Sequence, residues 1–137
     1  MSWTPSTSSI SPAPLSAIYL SRSTDKAKTF TVSQVSPYSA QFDQSFSTPR
    51  LLWGPEGGPE GTLHLVYQAN PRSAIVGTAG AFYRHSTDGG KTWSEPEALN
   101  DDDPKNLRGH YMPNISRAQN GRLDVVWWDT RDDPACG

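Results

Sequence analysis

The chain has 137 residues, with 12 Lys and Arg against 14 Asp and Glu, and its formal charge of −2 offers no electrostatic basis for binding nucleic acid or an anionic membrane. No run of about 18 apolar residues is present to cross a bilayer as a helix, and the single cysteine, Cys136, cannot form an internal disulfide.

Residues 1–16 are rich in Ser, Thr and Pro and lack both a basic start and an apolar core, so they read as a disordered or loosely attached lead-in and not as a secretory signal. The aromatic and branched residues of Ala17-Ile18-Tyr19-Leu20-Ser21-Arg22 predict a strand. Ser23-Thr24-Asp25-Lys26-Ala27-Lys28-Thr29-Phe30 follows as a turn, and Phe30 to Val35 as a second strand. Thr48 to Trp53 is an extended segment. A Gly-rich turn at 57–61 leads into Thr62 to Gln68, whose alternation places Leu63, Leu65 and Tyr67 on one face. Ala81 to His85 is again aromatic and strand-like, and Ser86-Thr87-Asp88-Gly89-Gly90-Lys91-Thr92-Trp93 closes a second turn before the Pro-interrupted, edge-type segment Ser94 to Leu99. Tyr111 to Ser116, a turn at Gln119-Asn120-Gly121 and Arg122 to Trp128 repeat the earlier pair of strands, with Leu123, Val125 and Trp127 on one face. No segment holds a 3.6-residue apolar period, so helix is expected to be nearly absent.

The two eight-residue turns have their aspartates 63 residues apart, and the segments 62–68 and 122–128 match at an offset of 60. Such a period is larger than a hairpin and marks a repeat. In each turn the Asp side chain can accept hydrogen bonds from backbone N–H groups a few residues on, and Gly90 supplies a left-handed backbone at no steric cost. Ala27 stands where Gly90 does and Phe30 where Trp93 does, so the first turn is tight only if Ala27 avoids the left-handed region or if strain is tolerated. The expected organisation is all-β. Residues 46–99 hold one complete four-stranded antiparallel unit, 17–35 hold the last two strands of the unit before it, and 109–134 the first two of the next. Four-stranded sheets repeated radially are the elements of a β-propeller. At about 63 residues per unit the chain amounts to about two blades, which implies a fragment of a longer chain or a protomer that closes by assembly.

Ser86-x-Asp88-x-Gly90-x-Thr92-Trp93 resembles the Asp-box of the bacterial neuraminidase repeat. The segments Tyr111 to Ile115 and Gly121 to Pro134 are similar to the strand pair of sialidase-like propeller proteins. The resemblance covers about residues 17 to 134. It implies a partial sialidase-like β-propeller, export or a cell-surface location, and the remaining blades supplied from a longer chain or other protomers. It makes Ser86, Asp88, Gly90, Thr92 and Trp93, with Ser23, Asp25, Thr29 and Phe30 in the degenerate copy, structural residues, and it assigns no catalytic residue to a position of this chain.

In a propeller both turns lie on the face opposite the usual ligand face. The ligand face would then carry Asn70-Pro71-Arg72, the segment Asn100 to His110, and Asp129 to Asp133. There Arg131, followed by Arg108 and Arg72, is the expected anion-binding group, with Asp129 and His110 beside it. Alternatively Asp129 and Arg131 pair locally and cap the loop. Asp101, Asp102 and Asp103 form either a solvated acidic turn or a Ca2+ site, whose hard oxygen ligands they would supply. His64 and His85 read as ordinary strand residues, since no Cys or His stands at metal-ligand spacing. Asn114-Ile115-Ser116 fits a glycosylation pattern in an unfavourable, strand position. Trp53, Trp127 and Trp128 are candidates for a sugar-stacking platform, with Trp127 on the core face. Three functions are consistent with these residues: a non-catalytic carbohydrate- or protein-binding module, part of an exo-sialidase-type glycoside hydrolase, or a structural component of a surface or virion assembly.

Overall fold

The computed structural model describes residues 17–35, 48–69, 80–102 and 108–133. The lead-in at 1–16, Arg72, Asp103 and Cys136 lie outside the described residues. The described residues are all-β: eight strands, β1 (Tyr19–Arg22), β2 (Thr31–Gln34), β3 (Arg50–Gly54), β4 (Thr62–Ala69), β5 (Gly80–Ser86), β6 (Glu97–Ala98), β7 (His110–Arg117) and β8 (Leu123–Asp129), with no helix among them. They form a central antiparallel sheet of order β3-β4-β5-β6 and two hairpins, β1-β2 and β7-β8. The Pro-interrupted segment contributes only two residues, β6, at the edge of the central sheet, where a missing N–H is tolerated.

The central sheet is covered on both faces. Leu65 and Tyr67 on one face of β4 join Val35 and Ala69 in the core, against which Ile18, Leu20, Phe82 and Trp93 pack. Arg84 on the same face donates to the Val35 carbonyl at 2.5 Å, so the first hairpin is held by a charge-assisted hydrogen bond as well as by apolar burial. The alternation of β4 predicts one buried face, but His64 and Val66 on the other face are also buried. The reason is β7, which lies against β3, β4 and β5. In β8 the simple alternation holds: Leu123, Val125 and Trp127 are half-buried, and Asp124, Val126 and Trp128 exposed.

The two eight-residue turns share one hydrogen-bond scheme. In the first, Ser23 Oγ donates to Asp25 Oδ1 at 2.8 Å and accepts from the Ala27 N–H at 2.8 Å. Asp25 Oδ1 accepts from the N–H groups of Lys28 and Thr29 at 3.1 and 2.9 Å, and Thr29 Oγ1 donates to Asp25 Oδ2 at 2.6 Å. The second turn repeats the set with Ser86, Asp88, Gly90, Lys91 and Thr92, including the 2.8 Å bond from the Gly90 N–H and the 2.6 Å bond from Thr92 Oγ1. Five hydrogen bonds common to both turns thus converge on one carboxylate and one hydroxyl, and they fix the polar part of each loop.

The turns differ in strain. Gly89 and Gly90 have φ of 72° and 87°; Lys26 and Ala27, in the same places, have 61° and 63°. Ala27 therefore does not avoid the left-handed region, and the first turn carries the Cβ penalty that glycine escapes. The second turn cannot substitute likewise, because a Cβ on Gly90 would run into the Leu20 side chain of β1. The aromatic residues that follow also differ: Trp93 packs against the core, whereas Phe30 is 59% exposed.

Replacing Ala27 with Gly should therefore stabilise the fold by about 1 kcal/mol in urea unfolding, and Gly90→Ala should destabilise it by more. A pH series checks the carboxylates. The Thr29 hydroxyl and N–H hold Asp25 at about 2, against an ordinary 3.8, and those of Thr92 lower Asp88 further. Because both folded values are depressed, their stabilisation is complete above the ordinary value and is lost as the pH falls from about 4 toward 2, with the loss from Asp88 continuing below that. The urea midpoint should drop across that window, and the Asp25→Asn, Asp88→Asn double variant should show a flatter acid limb.

Candidate functional site

At the end of the molecule away from the two turns, strand register assembles a polar cluster. The antiparallel pairing of β7 and β8 sets His110 opposite Asp129. Beyond β8 the chain turns back, with Thr130 Oγ1 accepting from the Gly109 N–H at 2.9 Å and the Asp133 N–H donating to the Thr130 carbonyl at 3.1 Å. The segment after β6 is tied to the start of β5: Leu99 N–H donates to the Ala81 carbonyl at 2.9 Å, and Asn100 Oδ1 accepts from the Ala81 N–H at 3.2 Å. That anchorage delivers Asp101 and Asp102 to the end of the hairpin β7-β8.

Arg131 is held between two carboxylates. Its Nε and Nη2 reach Asp129 Oδ2 at 2.8 and 2.7 Å, and its Nη1 reaches Asp101 Oδ1 at 2.9 Å. The Arg131 N–H also donates to Asp129 Oδ1 at 2.8 Å, closing a local turn over the carboxylate. Trp127 Nε1 donates to the same group at 3.3 Å. His110 is buried, with Nε2 at 2.8 Å from Asp102 Oδ1 and 3.5 Å from Asp129 Oδ2. Both are close approaches of Nε2 and not aligned hydrogen bonds. Asn100 Nδ2 steadies Asp102 at 3.1 Å.

The electrostatics follow from these contacts. Hydrogen bonding from the Arg131 guanidinium holds Asp129 at about 2 and also lowers Asp101, while the two carboxylates raise Arg131. Three carboxylates surround one guanidinium and one imidazole, so the cluster is acidic overall. The local pairing of Asp129 with Arg131 is the arrangement adopted. Asp101, exposed as a solvated turn would have it, pairs with Arg131, and Asp102 lies against the His110 ring.

The other predicted residues sort by position. Arg108 lies on the same rim and donates to the Asp133 carbonyl at 3.2 Å. Trp127 and Trp128 project from opposite faces of β8, and Trp53, tied to the Glu60 carbonyl at 3.1 Å, stands at the far end of the central sheet, so the three tryptophans form no common platform. His85 is exposed and stacks on Tyr83 with centroids 5.9 Å apart. Asn114 is exposed on β7, its Oδ1 accepting from the Ile115 N–H at 2.9 Å. Between the two eight-residue turns a cavity of about 240 Å3 is lined by Thr24, Thr29, Gly89 and Lys91 among others; Thr29 is already committed to Asp25.

A second polar network escapes strand-by-strand reading. His64, buried in β4, contacts the Tyr83 hydroxyl at 2.8 Å through Nδ1 and Glu56 Oε1 at 2.9 Å through Nε2. Glu56 in turn accepts from Arg117 at 3.2 and 2.7 Å, joining the β3-β4 turn to the end of β7. These bonds, Arg117 first, hold the Glu56 carboxyl at about 2. The available signal was the spacing: Glu56 and Arg117 lie 61 residues apart, close to one repeat.

No protein-family model, curated protein or solved structure matches the chain. The geometry of the cluster is directly testable by following the Asp129 side-chain carboxyl by NMR. Its titration should have a midpoint near 2, and Arg131→Gln should move that midpoint up toward the ordinary 3.8.

Proposed function

We propose that this chain forms a sector of a sialidase-like β-propeller and acts in this form as a binding module for a carbohydrate, through the rim that holds Arg131, Asp129, Asp101 and Arg108. The observation that carries the reading is the commitment of the rim carboxylates to basic side chains of this chain. Asp129 and Asp101 both pair with Arg131, and Asp102 lies against His110.

A glycosidase acid must be protonated near neutrality, which needs a carboxyl whose pKa is raised. Both partners of Arg131 are lowered. An acidic sugar would be disfavoured, because the carboxylates paired with Arg131 leave its surroundings negative. A neutral sugar suits this rim better. Its hydroxyls both donate and accept, and the exposed edge of an Arg–Asp pair offers acceptors on Asp101 and donors on Arg131 within one patch. The propeller part of the proposal is supported by the shared turn scheme, the four-stranded antiparallel order of the central sheet and the repeat of about 60 residues.

Titration against an array of neutral and sialylated glycans, alongside a fluorogenic sialoside, tests the proposal. Retention of a neutral glycan without release of the fluorophore is expected, with affinity reduced about tenfold or more in Arg131→Ala, the loss of roughly 1.4 kcal/mol. Hydrolysis of the sialoside that disappears in Asp129→Asn, or failure of every glycan to be retained, would overturn it.

A further inference from the structure

We infer that copies of this chain associate head to tail, β8 of one copy pairing antiparallel with β1 of the next to complete a four-stranded sheet of order β7-β8-β1-β2. The inference rests on strand equivalence and is independent of the carbohydrate reading.

Among the described residues, β8 has β7 on one side and no strand on the other, and β1 has only β2. Each therefore presents a row of backbone donors and acceptors, an edge that another strand can extend. The two edges are related by the repeat. β8 is the counterpart of β4 at an offset of 60, and β1 the counterpart of β5 at an offset of 63. Because β4 pairs with β5 inside the chain, the β4-β5 register gives the register expected between copies.

That register matches side chains as well as backbone. The pair His64 and His85 maps onto Asp124 and the next copy's Arg22, an opposite-charge pair directly across the ladder. Tyr67 and Phe82, whose rings stack with centroids 5.9 Å apart, map onto Trp127 and Tyr19. One aromatic cross-strand pair would thus be rebuilt as another.

The faces agree too. Tyr19 is 62% exposed and Val32, its neighbour on the same face of the first hairpin, is also exposed; Val126 and Trp128 are exposed on the last hairpin. Two of these sites have counterparts in the central sheet that neighbouring layers cover: Tyr19 corresponds to Phe82, which packs against the core, and Val126 to Val66, which is fully buried. A contact of this kind is heterologous, so repetition yields a closed ring or an open filament.

Single-cysteine chains test the register, each also carrying Cys136→Ser. Val125 and the next copy's Ser21 should face each other, as Leu65 faces Arg84. Mixing a Val125→Cys chain with a Ser21→Cys chain under oxidised glutathione should give at least about tenfold more mixed disulfide than Asp124→Cys with Ser21→Cys, whose side chains would point to opposite faces, because bridging requires Cβ atoms about 4 Å apart. Equal yields from the two mixtures, in chains that keep the wild-type near-UV spectrum, would overturn the inference. Sedimentation of the unaltered chain guards against misfolded variants: mass that rises above one copy with concentration, and less so in Asp124→Arg, is expected, and a concentration-independent monomer would overturn it.

Discussion

The structure depends on the burial of β4 from both sides. A strand of an antiparallel sheet ordinarily shows one face to the core and the other to water, but Leu65 and Tyr67 are covered by the first hairpin while His64 and Val66 lie beneath β7. The central sheet is therefore a middle layer, and its neighbours are required for its stability. Each layer boundary also carries polar bonds. Arg84 reaches the Val35 carbonyl on one side, and the chain from Tyr83 through His64 and Glu56 to Arg117 bridges the other. The cost of burying these polar groups is offset only while the layers remain docked, which links strand pairing to layer packing.

That linkage separates the molecule into two ends with different chemistry. At one end the eight-residue turns use their carboxylates internally, bonding backbone N–H groups and a threonine hydroxyl, so Asp25 and Asp88 serve the scaffold. At the other end the carboxylates Asp101 and Asp129 meet Arg131, in the turn after β8, and Asp102 meets the His110 ring at the start of β7. The second arrangement keeps donors and acceptors at the surface, and on this contrast the proposed binding role rests.

Much of this was legible in the residues. The paired aspartates, the Gly-containing turns and the alternation of β8 locate the strands and their order, because turn chemistry and period-two patterning are local. The proximity of His110, Asp129 and Arg131 was legible for the same reason, since the hairpin β7-β8 brings its own ends together. Contacts between layers were not. Nothing local to His64 marks it as the middle of a network, and Asp101 reads as a solvated acid until the anchorage of Asn100 on β5 carries it to Arg131. Backbone exceptions were equally hidden. Met112 takes a φ of 53° where β7 shifts register between Tyr111 and Asn114, beside the buried Pro113. In the first turn the hydrogen bonds to Asp25 and Ser23 outweigh the preference of Lys26 and Ala27 for other conformations.

The strain in that first turn has a bearing on how the chain meets proteases. Lys26 and Lys28 flank the strained Ala27 in the exposed run 26–30, whereas Lys91 follows the relaxed glycine pair of the second turn, whose Gly89 and Gly90 are buried under the β1 side chains Arg22 and Leu20. Local opening is least costly where stored strain is released. Among the described lysines, those between β1 and β2 would accordingly be cut by a lysine-directed enzyme before Lys91, leaving the central sheet intact but its Leu65 and Tyr67 face held by a severed hairpin.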